Sequence, residues 1–148
     1  MNGPAGWAFT HSDEIRFSDL DVMGHLNNVA FLVFVESARV AYLRSRVPTH
    51  DPTSSSEFGV LVAEAKVSYR SPGRFGERVD THLRPADLGR TSFRSDFEMR
   101  VGDRVLADGY AVMVICDRNT WRPVPIPDRL RELLTADGAR PRAPLTNL

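Results

Sequence analysis

From Asn28 to Arg46 the chain runs without a proline or a glycine and with few polar groups, chiefly Glu36, Ser37, Arg39 and Arg44. Ala30, Phe31, Leu32, Phe34, Val35, Ala38, Ala41, Tyr42 and Leu43 fall around most of a helical circumference. A helix that is apolar nearly all round is buried on more than one side. Whatever else the chain builds must therefore wrap this segment. Val29, Val33, Val35 and Val40 are weak helix formers and leave a strand as the competing local reading. The uninterrupted length, and Asn27 and Asn28 as N-caps, favour the helix.

The remaining periodicity is that of strands. Thr10 to Phe17 alternates Ile15 and Phe17 against Glu14 and Arg16. Pro48 to Glu57, with Pro48, Pro52 and serines at 54–56, reads as a mobile loop. Val60 to Tyr69, Glu77 to Pro85, Thr91 to Val101 and Arg104 to Cys116 then read as strands. Their connections, Ser71-Pro72-Gly73, Asp87-Leu88-Gly89 and Val101-Gly102-Asp103, are short, which favours antiparallel neighbours. A short helix is expected at about Pro127 to Leu134. Residues 1–8 and 136–148 read as flexible termini, the latter a disordered tail, leaving one domain over residues 9–135. The fold class is α+β, one antiparallel sheet wrapped around one long buried helix.

Composition narrows the function classes. The chain has 148 residues, 42% of them hydrophobic, enough for one core without disulfides. The 19 basic and 19 acidic residues cancel, so a general affinity for nucleic acid is not expected. Of the basic residues only Lys66 is a lysine, which fits a compositional bias or phosphate-gripping arginines. Cys116 stands alone and no Cys/His cluster has zinc spacing, so no metal is expected. Met1 to Thr10 lacks a secretory pattern, and the longest apolar run, Val29 to Val35, is too short for a membrane span. The expected setting is cytoplasmic, without membrane contact.

The loop before the helix carries the chemistry. Asp19 and Asp21, then His25, then Asn27 and Asn28, lead straight into it. The first N–H groups of a helix lack internal partners and lie at its positive end, which stabilises an anion. That suits the oxyanion formed when a carbonyl is attacked, with a carboxylate nearby to attack or to activate water. On spacing alone, caps and turn formers are the commoner use of such residues.

Asp19-Leu20-Asp21-Val22-Met23-Gly24-His25-Leu26-Asn27-Asn28-Val29-Ala30-Phe31, followed by Phe34-Val35-Glu36-Ser37-Ala38-Arg39, resembles the signature of hotdog-fold acyl-CoA thioesterases, in particular the 4-hydroxybenzoyl-CoA thioesterase-like group. The resemblance continues through Val67-Ser68-Tyr69-Arg70-Ser71-Pro72, Gly89-Arg90-Thr91-Ser92-Phe93 and Pro125-Ile126-Pro127, and covers about residues 10 to 134. It implies a hotdog fold that hydrolyses an acyl-CoA or acyl-carrier-protein thioester to free acid and thiol. No cofactor is implied, coenzyme A being part of the substrate. Asp21, the second Asp of the pair, would be catalytic as nucleophile or general base, and Asp19 structural. Backbone N–H groups near Asn28 would hold the oxyanion, and His25 would position the carbonyl or the water. The active sites would lie between the subunits of a homodimer, often paired into a homotetramer.

Departures from relatives narrow the site. Plant acyl-carrier-protein thioesterases carry Asn where Met23 stands and an acidic residue near Pro72. A group that uses a Glu in the long helix has a His-Gly-Gly loop, unlike His25-Leu26-Asn27, so Glu36 is read as a partner of Arg39 or of the second subunit. Arg90 falls where family members often carry basic residues near the CoA nucleotide, with a solvated turn charge as the equal alternative. Arg70 and Arg74 are weaker candidates for the same role. Phe31 and Tyr69, with Trp7, are either acyl-pocket or core residues. The alternatives are a non-catalytic acyl-CoA binding module and a hotdog hydratase or dehydratase, whose His-Gly pair is absent here.

Overall fold

The computed structural model describes residues 2–48 and 57–143. Strand β1 (Phe9–Glu14) is followed by a 3-10 turn at Phe17–Asp19 and then by helix α1 (Asn28–Arg46). Four long strands follow: β2 (Gly59–Tyr69), β3 (Arg78–Leu88), β4 (Ser92–Val101) and β5 (Arg104–Cys116). Helix α2 (Asp128–Ala136) and the short strand β6 (Arg140–Pro141) close the chain. The sheet order is β1-β3-β4-β5-β2, antiparallel throughout, with β6 added in parallel to β3. The loop expected at 48–57 falls almost wholly outside the described residues.

Helix α1 lies in the curve of this sheet, over β1 and β3. Phe31, Phe34, Val35, Ala38, Tyr42 and Leu43 face inward and are buried. They meet Val79 and Leu83 of β3, Phe93, Phe97 and Met99 of β4, and Ala107, Ala111 and Met113 of β5 in one core. The strand alternation predicts this: Phe93, Phe97 and Met99 point in, while Arg94, Asp96, Glu98 and Arg100 form the outer face and pair with charges on β3 and among themselves.

Among the described residues, burial of α1 on more than one side is not found. Val29 is 70% exposed, Val33 49% and Leu32 42%. Edge strand β2 pairs only with β5, and from Leu61 to Lys66 it is exposed.

The β2–β5 pair depends on Gly109. A Cβ there would lie 1.8 Å from the Lys66 carbonyl oxygen and 3.1 Å from the Phe97 ring, which covers the bare backbone. Gly109→Ala must therefore push β2 away from β5. We expect a loss of about 3 kcal/mol, on the order of 10 °C in Tm, read by thermal unfolding followed by circular dichroism. A variant that melts with the wild type would show that the two strands are not packed this closely.

The termini differ from the loose segments expected. Asp137 accepts hydrogen bonds from the Tyr42 hydroxyl (2.6 Å) and from Arg46 Nε (2.8 Å). Burial, with the Asp137 carboxylate beside it, pushes the Tyr42 hydroxyl well above its ordinary pKa. Gly138, at φ +109°, turns the chain back from α2 so that Ala139 is buried and β6 joins the sheet. At the other end the Arg84 guanidinium stands 4.4 Å over the Trp7 ring. These anchors are single long-range polar contacts, which leave no trace in local periodicity. Residues 144–148 lie outside the described residues.

Candidate active site

The loop between β1 and α1 is fixed from beneath by Asp19. This residue is buried, and its carboxylate takes hydrogen bonds from the Arg16 backbone N–H (2.8 Å) and from Arg16 Nη2 (3.1 Å). Burial alone would raise the Asp19 pKa, but the Arg16 side-chain and backbone hydrogen bonds and its charge outweigh that and hold the carboxyl below its ordinary value. The Asp19 carbonyl then accepts the N–H of Asn27 (2.9 Å). Leu26 N–H bonds to the Gly73 carbonyl (2.8 Å), and His25 bridges to Arg74, so the turn after β2 clamps the loop from the side.

Asp21 sits in a tight turn. Its Oδ1 accepts the N–H groups of Met23 (2.9 Å) and His25 (3.3 Å), and its carbonyl accepts that of Gly24 (3.0 Å). Gly24, at φ +78°, supplies the left-handed residue the turn requires. One carboxylate oxygen is thus committed to the backbone. The other, Oδ2, has no protein donor among the described residues.

The helix start is capped in a way that leaves one donor over. Asn27 Oδ1 accepts the Val29 N–H (2.9 Å), and the Asn27 carbonyl accepts that of Ala30 (2.8 Å). The N–H of Asn28 has no acceptor among the described residues, and it stands at the positive end of α1.

These groups border one cavity of about 280 Å³, lined by Asp21, His25, Asn28, Phe31, Tyr69 and Arg70, together with Leu26, Ser71 and Pro72. Six of the seven site residues expected from the sequence therefore converge. Phe31 and Tyr69 meet edge to face, ring centroids 5.0 Å apart. Arg70 is ion-paired with Asp108 at 3.1 Å. Its side-chain hydrogen bond to Asp108, with that group's charge, raises the pKa of the guanidinium.

Arg90 is the exception. It lies in the turn between β3 and β4, at the sheet end where Ser92 pairs with Val114, whereas the cavity is at the end where Tyr69 pairs with Ala107. Trp7 and Arg74 are not among the lining residues. Glu36 lies 3.6 Å from Arg39 and is likewise outside the cavity.

Leu26, Ser71 and Pro72 were not singled out as site residues in the sequence. Ser71-Pro72 follows directly on Tyr69-Arg70, and an X-Pro step at a strand end was the available signal. Among the described residues, no three His, Cys, Asp or Glu side chains gather as a metal site. No helix there is long and apolar enough to cross a membrane.

Known proteins resemble this chain in sequence and fold. A 1,4-dihydroxy-2-naphthoyl-CoA hydrolase from Synechococcus elongatus is 26% identical over 127 residues, which cover 83% of this chain and 93% of that protein. A thioesterase superfamily structure from Jannaschia is 30% identical, with a TM-score of 0.82 over 95% of this chain and 89% of the other. A thioesterase from Thermus thermophilus, solved in complex with coenzyme A and Zn, is 30% identical, with a TM-score of 0.77 over 90% and 96%. The sequence pattern of the thioesterase-like superfamily matches residues 15–134. With the hotdog sheet and helix in place, the chain belongs to the thioesterase-like superfamily and is a thioester hydrolase.

Proposed function

We propose that this protein hydrolyses an acyl-CoA thioester to the free acid and coenzyme A, with Asp21 as the working carboxylate. The observation that carries this is that two residues lining one cavity, Asp21 and Asn28, each keep an uncommitted group, Asp21 Oδ2 and the Asn28 N–H. The thioester carbonyl oxygen accepts the Asn28 N–H, which stabilises the negative charge that develops on attack. Asp21 either attacks the carbonyl carbon, expelling the thiolate to give a mixed anhydride that water then cleaves, or takes a proton from the attacking water and returns it to the leaving sulfur. His25, whose ring has no partner among the described residues, positions the carbonyl or the water. Phe31 and Tyr69 flank the acyl group, and Arg70 lies at the mouth.

A cavity of about 280 Å³ is at the lower limit for a small-molecule site, so it holds only the reacting end of such a substrate. This supports a homodimer whose second subunit completes the site. Antiparallel pairing of two β2 edges would set the Gly59 end of one copy beside the Tyr69 end of the other. The partner's Arg90 would then lie at the same end as this chain's Asp21, within reach of the nucleotide part of a long substrate.

The test is thiol release measured over a panel of aliphatic and aromatic acyl-CoAs, with an acyl-carrier protein as a further arm. The expected result is turnover with at least one acyl-CoA. Binding of acyl-CoA without thiol release from any substrate would instead make this a binding module.

A further inference from the structure

We infer that Tyr69 is a positioning residue that holds the oxyanion donor in place; the inference rests on the assignment of Asp21 and the Asn28 N–H to thioester hydrolysis. The Tyr69 hydroxyl donates to the Asn28 carbonyl at 3.0 Å. That carbonyl is already the helical acceptor for the residue four further on, so the bond uses its second lone pair. Asn28 is consequently fixed on both sides. On its N-terminal side the Asn27 N–H is tied to the Asp19 carbonyl, and the Asn27 side chain caps Val29. On its C-terminal side the tie comes from Tyr69.

The two ties differ in origin. The first belongs to the loop that carries Asp21. The second comes from the last residue of β2, in the sheet, and joins two residues that line the cavity. The edge-to-face contact with Phe31 sets the Tyr69 ring so that its hydroxyl can reach the first turn of α1. Tyr69 is half exposed and its hydroxyl has no other partner among the described residues, so packing alone does not explain the polar tip. The strut fixes the Asn28 N–H relative to the wall formed by Ser71 and Pro72. A donor displaced by a fraction of an ångström loses much of its value in the transition state and little in the ground state.

The test is Tyr69→Phe, which keeps the ring and removes the hydroxyl, alongside Asp21→Asn. With the best acyl-CoA of the panel, Tyr69→Phe should lower kcat by about ten- to a hundredfold and leave KM within about twofold. The melting temperature should stay near that of wild type. A raised KM with unchanged kcat would make the Tyr69 hydroxyl, and not only its ring, a substrate contact and overturn the inference. Unchanged kcat in Tyr69→Phe, with Asp21→Asn inactive, would also overturn it while leaving the site assignment intact. If Asp21→Asn is fully active, the site assignment itself fails. Amide hydrogen exchange at Val29 to Leu32, followed by NMR on both proteins, reads the strut without any substrate. Faster exchange in Tyr69→Phe supports it, and identical exchange sinks it.

Discussion

Asp21→Asn lowers kcat by roughly 10²- to 10⁴-fold while the protein folds and melts as the wild type does. The expectation follows from how the carboxylate is used. Oδ1 already accepts the Met23 and His25 N–H groups, and an asparagine carbonyl oxygen can do the same. The turn through Gly24 is therefore retained. What changes is Oδ2, which becomes an amide NH₂ with neither negative charge nor basicity. It can neither attack a thioester nor accept a proton from water. The neighbouring Asp19 differs in kind, since both of its oxygens are engaged by Arg16 and it is buried. Thiol release and circular dichroism melts on the same preparation check both halves of the expectation. Near-full activity in Asp21→Asn would remove Asp21 from the chemistry. Single-turnover hydrolysis in oxygen-labelled water then separates the two routes. Label in the Asp21 carboxylate marks the nucleophile, and label confined to the product acid favours the base.

The long elements were legible because their periodicity is local. Helix α1 spans Asn28–Arg46 with Asn27 as its cap, and β5 covers Arg104–Cys116, both as read from the sequence. The convergence of Asp21, His25 and Asn28 was legible because they are neighbours in the chain. Asp19 and Asp21 could not be separated by spacing, and only the resemblance chose between them; in the structure Asp19 is paired with Arg16, whereas Asp21 lines the cavity. Three features were not legible. The Tyr69 hydroxyl bond to Asn28 spans residues far apart in sequence, and nothing local announces it. The Asp137 clamp on Tyr42 and Arg46 is of the same type. The exposed face of α1 was misread for another reason: an apolar pattern reports that a face avoids water, not whether its cover comes from the same chain.

With two copies paired through β2 as proposed above, Val62→Asp should leave a monomer and take the activity with it. Strand β2 has one bonded neighbour, and its outer edge is uncovered among the described residues. Leu61 and Val62 are each 45% exposed on that edge. An edge strand this long and apolar is a liability in a monomer unless another chain pairs with it. A two-fold interface uses the same patch twice, so one substitution introduces two carboxylates. Each would be desolvated without a partner and face its like. An uncompensated buried charge costs about 3–5 kcal/mol, which weakens the dimer by roughly a thousandfold or more. The monomer itself should survive, because Val62 lies at the edge and not in the core. Sedimentation and light scattering at micromolar concentration read the assembly, and thiol release on the same samples reads the site. Wild type and Asp21→Asn should both be dimers, the second inactive, and Val62→Asp an inactive monomer. A wild type that is monomeric and active would show that one chain closes its own site, and the exposed faces of α1 and β2 would then need a different partner.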